Sequence, residues 1–481
     1  MIVIAITLII YLALVFFVGV YAGRGNGNDE ESYFLGKRGF GPVATAISAG
    51  ATDSSGWIFI GAVGFAYSFG AVSMWMLPGF AAGVLFNWFY LGPRLRSQGE
   101  KLGALSLADF FDKKLNDKTH LVKIIAGLLI ILFFIPYMAS QLTAAGKTID
   151  VLVGLDYNIG LIGSAIFVIA YCFTGGYKSV MYTDVVQGFI MLAVLFFFPI
   201  YLIFHLGGWG ELWSQLLAVD PILGHTAAGA TGSAAFGLIA GLLFYGIGEI
   251  GQPHILQRFF SAKDNETIKK GLYIAVAWGI IVMTGSSILG LCARLILPNL
   301  ADPEYAFPSV VMEIMPSVMT GIVVGAIFAA IQSTFSSQLL LSVQTLSSDL
   351  LKSFSKKKYS EAQLVKFTRI TMVILGVIVT GLALANIDTV FKLVVYAWSG
   401  MASAFGPLLV MLLAAPRVVS RWGAIAGMLV GTVSASIWYA VGLSSYMMEV
   451  VPGMICATLA IFIVSKMVPD KTISPNQNIS G

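Results

Sequence analysis

The chain is 481 residues long, 58% hydrophobic and only 11% charged, with a mean hydropathy of +0.87. A soluble domain carries about a quarter charged residues, so no soluble core can hide this much apolar sequence. The net charge of +4 reflects topology rather than nucleic-acid binding, and Cys172, Cys292 and Cys456 offer neither a disulfide framework nor a CxxC metal site.

Apolar runs near the ~20-residue spanning length recur along the whole chain. The first, 2–21, lacks a basic n-region and a small-residue cleavage site before Arg24, so it reads as a retained span rather than a signal peptide. The second, 40–68, is interrupted by SAGATDSSG at 48–56. Breaking a helix in hydrocarbon frees carbonyls that need partners, and a hard cation takes several oxygens. A simple glycine kink at Gly50 and Gly56 explains Ser54 and Ser55 but not Asp53, since an ionisable residue in a span is costly.

A third span covers 70–92, and the charged stretch 93–119, with Leu105, Leu107, Phe110 and Phe111, reads as a surface helix in a loop. The fourth span, 120–147, holds FFIPYMASQ, where Pro136 frees a carbonyl beside Tyr137 and a plain kink is the simpler reading. Spans at 157–174 and 179–206 follow. Asp184, at the start of the latter, is either a first-turn carboxylate or the charge of a cation site.

The seventh span, 233–256, is broken by YGIGEIGQP at 245–253. Its Gly246, Gly248 and Gly251 spell GxGxxG, but Pro253 follows at once with no βαβ unit, which excludes a dinucleotide site. Glu249, with no basic neighbour in sequence, must be protonated, bind a cation or ammonium group, or face a wet vestibule.

An eighth span covers 270–297. In the ninth, 309–350, Ser333, Ser336 and Ser337 share one face, with Thr334 three residues from Ser337. Hydroxyls on one face suit an alkali cation, and equally suit helix packing by small residues. Spans at 366–387, 389–414, 422–442 and 448–468 bring the total to about thirteen. The four histidines are far apart and form no metal-enzyme spacing.

Basic residues alternate between connections. One set holds Arg24, Lys37, Arg38, Arg94, Arg96, Lys101, Lys113, Lys114, Lys118, Lys178, Arg258, Lys263, Lys269 and Lys270. It continues through Lys352, Lys356, Lys357, Lys358, Lys366, Arg417, Arg421, Lys466 and Lys471, whereas the other holds Lys147, Arg294 and Lys392. The positive-inside rule puts the amino terminus outside and the carboxyl terminus in the cytoplasm, which an odd span count satisfies. The two interrupted spans start five spans apart, the interval of a five-plus-five inverted repeat.

Together YFLGKRGFGP (33–42), SAGATDSSGW (48–57), FTGGYKSVMYTDVVQ (173–187), GQPHILQRF (251–259), AAIQSTFSSQLL (329–340) and YAWSGMASAFGP (396–407) resemble the sodium/solute symporter family, and within it the proline-transporting branch. The resemblance runs from the first span to the last. It implies an all-α polytopic protein with a LeuT-type core of two inverted repeats, 40–206 and 232–414. One helix and a loop (1–39) precede the core, and two helices and a short tail (415–481) follow it. It implies sodium held by carbonyls of Ala51, Ser54 and Ala330 and hydroxyls of Ser333 and Thr334. In some relatives a second sodium lies near the positions of Asp184, Ser336 and Ser337. The family's aspartate matches Asp53, beside Ser55 and Gly56, and its loop arginine matches Arg38.

In the substrate region Tyr137, Gln252 and Pro253 match the proline pattern. Tyr245 and Glu249 stand where that pattern has a tryptophan and a tyrosine, so a cationic amino acid, an amine or another amino-acid-like solute is the alternative to proline. The expectation is a sodium-coupled symporter in a bacterial inner membrane, not an enzyme, acting as a monomer with sodium and one small solute. A channel would show polar rings across several spans, a membrane protease would need a base near its serines, and the tail leaves no room for a sensor's kinase.

Overall fold

The computed structural model describes residues 2–24, 29–354, 359–385 and 388–469. Lys356, Lys357, Lys358 and Lys471, and the tail after Pro469, lie outside the described residues. Apart from one isolated bridge between Phe40 and Ala262, the described residues pair no strands, and nearly all are helical.

Helix α1 spans Ile2–Gly23. The next span is split into α2 (Pro42–Ser54) and α3 (Gly61–Phe69). Then come α4 (Met76–Phe86), running through a π-turn at 87–91 into Gly92–Lys101, and α5 (Leu107–Lys114). Helix α6 spans Leu121–Val153. α7 (Tyr157–Phe173) and α8 (Gly175–His205) meet at Gly176, whose φ of 57° turns the chain. A second split span comprises α9 (Gly232–Ile247) and α10 (Pro253–Ser261). The remainder are α11 (Asn265–Ile296), α12 (Ser317–Gln344), α13 (Glu361–Leu384), α14 (Val390–Ala414), α15 (Arg421–Ala440) and α16 (Val450–Met467).

Eleven helices among the described residues are long and apolar enough to cross a membrane. The expected thirteen is therefore not reached by that measure. The two missing segments are Tyr157–Phe173, which is short, and 42–69, which is interrupted. The stretch 93–119 also differs from expectation. It is not a surface loop helix: α5 buries Leu107, Phe110 and Phe111 completely, with Phe110 edge-on to Phe260 and Phe111 beside Phe405. Its apolar face docks onto the bundle, as the one-sided face of an amphipathic helix requires.

Helices α12 and α14 form the centre, each 83% buried over its apolar window, against 28% for α1 and 33% for α16. α12 packs on α1, α2, α6 and α8. Close approach of α4 to α9 needs glycine: a Cβ at Gly246 would stand 2.0 Å from the Phe80 nitrogen. This small-residue contact fixes the entry to the second break.

Candidate functional site

Both breaks lie against the central helices. At the first, α2 ends at Ser54 and Ser55 takes φ 52°, ψ 176°, a backbone state rare for a residue with a side chain. The turn is held by its neighbours: the Trp57 amide donates to Ser55 Oγ (3.0 Å) and the Gly56 amide donates to Gln141 Oε1 on α6 (2.7 Å). At the second, Gln252 is extended between α9 and α10. Its Nε2 donates to the carbonyls of Gly248 and Trp398 (3.0 Å each), and Trp398 Nε1 donates to the Tyr245 carbonyl (2.9 Å). Asn87 Nδ2 reaches the Glu249 carbonyl (3.2 Å). The Gly56 amide at the first break and the Tyr245 and Glu249 carbonyls at the second thus find partners on other helices, as hydrocarbon surroundings require.

Across the first break, α12 presents its hydroxyls. Ser333 Oγ lies 2.9 Å from the Ala51 carbonyl and 3.1 Å from the Ala330 carbonyl, and Thr334 Oγ1 donates to the Thr52 carbonyl at 2.7 Å. Ser333 has one hydroxyl proton for two carbonyls, so this oxygen cluster suits a small cation better than it suits itself. The Ser54 hydroxyl is engaged, donating to Gly50 and accepting from Trp278 Nε1. Any role of Ser54 in ion binding falls to its carbonyl.

The residues expected around the solute also converge. Asp53, Ser55, Gly56, Tyr137, Tyr245, Glu249, Gln252 and Pro253 are all buried. The Tyr245 ring lies between Trp57 (centroids 5.4 Å) and Trp398 (5.6 Å), and Tyr137 meets His254 edge-on at 5.9 Å. Asp53 and Glu249 lie within each other's electrostatic field. Neither has an ion-pair partner among the described residues, and Asp53 Oδ1, Glu249 Oε2 and Trp57 Nε1 have no hydrogen-bond partner there. Unsatisfied buried polar atoms around aromatic rings are what a ligand with both polar and apolar parts would complete.

Asp184 and Ser337 come together as well, bridged by Arg258. Arg258, placed by its sequence context in a loop, is buried with 1% exposure. It donates to Asp184 Oδ2 (2.8 Å) and Ser337 Oγ (2.5 Å), while Ser336 Oγ turns to the Ser333 carbonyl (3.1 Å). Arg38 caps the opposite side of α10, donating to the carbonyls of Phe260 (3.1 Å) and Ala104 (2.9 Å) and pairing with Glu31. Sequence reasoning missed Trp57, Gln141, Asn87, Trp278 and Trp398 as site residues. Only Gln141, closing the FFIPYMASQ motif, and Asn87, a polar amide inside the apolar 70–92 span, carried a signal beyond apolarity.

The sequence model of the "Sodium:solute symporter family" matches residues 33–431. The chain is 35% identical over 468 residues to the high-affinity proline transporter PutP of Bacillus subtilis (strain 168), covering 96% of this chain and 97% of that one. It is 36% identical to the osmoregulated proline transporter OpuE of the same organism (96% and 94% covered) and 34% identical to a Staphylococcus aureus sodium/proline symporter (96% and 92%). Among solved structures, a substrate-bound, outward-open Na+-coupled sialic acid symporter superposes with a TM-score of 0.80 at 21% identity, covering 97% of this chain and 98% of that one. MhsT in complex with L-phenylalanine gives 0.52 at 15% identity, covering 88% and 97%.

Proposed function

The chain belongs to the sodium:solute symporter family and is a sodium-coupled secondary transporter of a small solute, not an enzyme, and on that premise we propose that the solute is an amino acid of proline's kind. The support is the relatives' activity together with a buried cluster of tilted aromatic rings and unsatisfied polar atoms between the two breaks. Sodium is bound by the carbonyls of Ala51, Ser54 and Ala330 and the hydroxyls of Ser333 and Thr334. The observation that carries this is the Ser333 hydroxyl shared between the Ala51 and Ala330 carbonyls.

Sodium there ties α12 to the broken helix and stabilises an outward-open state. The solute then docks its apolar body on Trp57, Tyr245 and Trp398 and its polar groups on Asp53, Ser55, Gly56 and Gln252, over Tyr137 and Pro253. Tyr245 and Glu249 set the solute range, because they replace the tryptophan and tyrosine of the proline pattern. Rocking of the repeats 40–206 and 232–414 then releases both ligands inward. The membrane potential contributes about 2.3 kcal/mol per sodium charge at 100 mV. The amino terminus lies outside and the carboxyl-terminal side in the cytoplasm of a bacterial membrane. Consistent with this, one end of the bundle gathers Arg38, Arg96, Lys113 and Arg421, and the other Lys147 and Lys392. The proposed working unit is the monomer.

The test is sodium-dependent uptake of labelled proline with competing amino acids. Saturable, sodium-dependent uptake is expected. Uptake indifferent to sodium would overturn the coupling, and lack of competition by any amino acid would overturn the solute class.

A further inference from the structure

We infer that the cavity between the end of α1 and the start of α8 binds one anionic phospholipid, its phosphate held between Arg24 and Lys178. The inference rests on the proposed topology only for the leaflet that supplies the lipid. The two helices meet through small residues. A Cβ at Gly23 would stand 2.6 Å from the Gly175 Cα, and Ser179 Oγ donates to the Gly19 carbonyl at 2.6 Å. Beside this seam larger side chains frame a cavity of about 520 Å³, with Phe17, Val18 and Tyr21 from α1 and Tyr182 from α8. Phe17 and Tyr21 stack at 6.0 Å, and Tyr182 is held edge-on to Phe40 at 6.0 Å. All three lining rings are exposed.

Arg24 and Lys178 are the charged residues of this lining, and no acidic side chain joins them. Arg24 is exposed, with its guanidinium carbon 5.9 Å from the Tyr21 ring centre, and Lys178 is half-buried. The carboxylates nearest in sequence are engaged elsewhere: Glu30 with Lys352, Glu31 with Arg38 and Asp184 with Arg258. The two cations therefore lack a counter-anion among the described residues. Arg24 follows directly on the 22-residue apolar helix α1, which puts these charges at the boundary where lipid headgroups lie. A phosphate there meets both charges. Phe17 and Val18 lie further along α1, toward the apolar core, and offer an acyl chain contacts that a free phosphate cannot use. A zwitterionic lipid brings its own ammonium against two fixed positive charges, so the anionic headgroup is favoured.

The test is native mass spectrometry of the delipidated wild-type chain in a nonionic detergent, titrated with phosphatidylglycerol, phosphatidylcholine or inorganic phosphate. It is scored whether or not uptake depends on sodium, so its failure is separate from failure of the symport reading. The first phosphatidylglycerol should bind about tenfold tighter than phosphatidylcholine, and excess inorganic phosphate should not displace it. Arg24→Gln and Lys178→Gln should each weaken that lipid about fivefold, and together about 30-fold. Lys269→Gln with Lys270→Gln removes the same charge from an exposed stretch of α11 outside the cavity and should leave the affinity unchanged. Equal affinity for the two lipids, displacement by inorganic phosphate, or an equal loss in the Lys269 and Lys270 control overturns the inference. A wild-type dimer that the Arg24 and Lys178 double variant loses also overturns it, by assigning the surface to a second copy of the chain. If the double variant does not fold, the two single variants decide, and unchanged affinity in both overturns it.

Discussion

Replacing Ser333 with alanine removes one oxygen from the proposed sodium site and nothing larger. The residue is fully buried, and its Oγ stands 2.9 Å from the Ala51 carbonyl and 3.1 Å from the Ala330 carbonyl. Losing one hydrogen-bonding partner in such a place costs about 1–3 kcal/mol, which at about 1.4 kcal/mol per tenfold is a roughly 5- to 150-fold weaker sodium affinity. The lower figure applies if water replaces the hydroxyl, the higher if the site stays dry. The assay is the initial rate of proline uptake into proteoliposomes at graded sodium concentrations. Half-saturating sodium should rise within that range, while half-saturating proline at saturating sodium changes little. If half-saturating sodium stays within about twofold of wild type, less than 0.5 kcal/mol, Ser333 is not a ligand and the assignment fails.

Thr334→Ala removes the hydroxyl that reaches the Thr52 carbonyl at 2.7 Å and should weaken sodium affinity about tenfold, read in the same titration. Glu249→Gln should change which solutes compete for uptake, and an unaltered competition profile would remove Glu249 from the pocket. Lys147 bridges Asp302 and Glu304 at 2.7 Å each, so Lys147→Met strands a buried Glu304 carboxylate. Breaking such a pair costs about 3 kcal/mol, seen as a lower melting temperature in detergent. Asp117 lies outside the spans. Burial pushes its carboxyl up, but hydrogen bonds from Thr119, Val122 and Arg421 outweigh this and hold it below the usual carboxylate range. A depressed carboxyl stabilises the fold above its unfolded value and loses that contribution as pH falls through its folded value. The stability gap between wild type and Asp117→Asn should therefore be constant from about pH 5 to 8 and close only below about pH 3.9.

The two breaks were legible because glycine, serine and a carboxylate inside an apolar run have no lipid-facing explanation. The α12 hydroxyls were legible for the same reason, since Ser333, Ser336 and Ser337 recur at helical spacing. Arg258 was not. The run at 233–256 ends two residues before it, and only the restart of a helix at Pro253 carries the side chain inward. Its counter-charge is 74 residues away in sequence, beyond the reach of any local pattern. The rings of Trp57 and Trp398 were equally hidden, because an aromatic residue in an apolar helix reads the same whether it faces lipid or a pocket. The segment 93–119 misled for the opposite reason. Its charges are paired at the bundle floor, Lys113 with Asp109 at 2.8 Å, while its phenylalanines turn inward. The span count slipped where length was the only guide, at the short α7 and the interrupted 42–69 segment.

The most direct test of sodium coupling is proline accumulation in proteoliposomes holding the wild-type chain, with an inward sodium gradient and a negative interior. Accumulation above the external concentration, abolished when potassium replaces sodium outside or a sodium ionophore collapses the gradient, is the predicted result. Equal uptake in potassium and in sodium would contradict it.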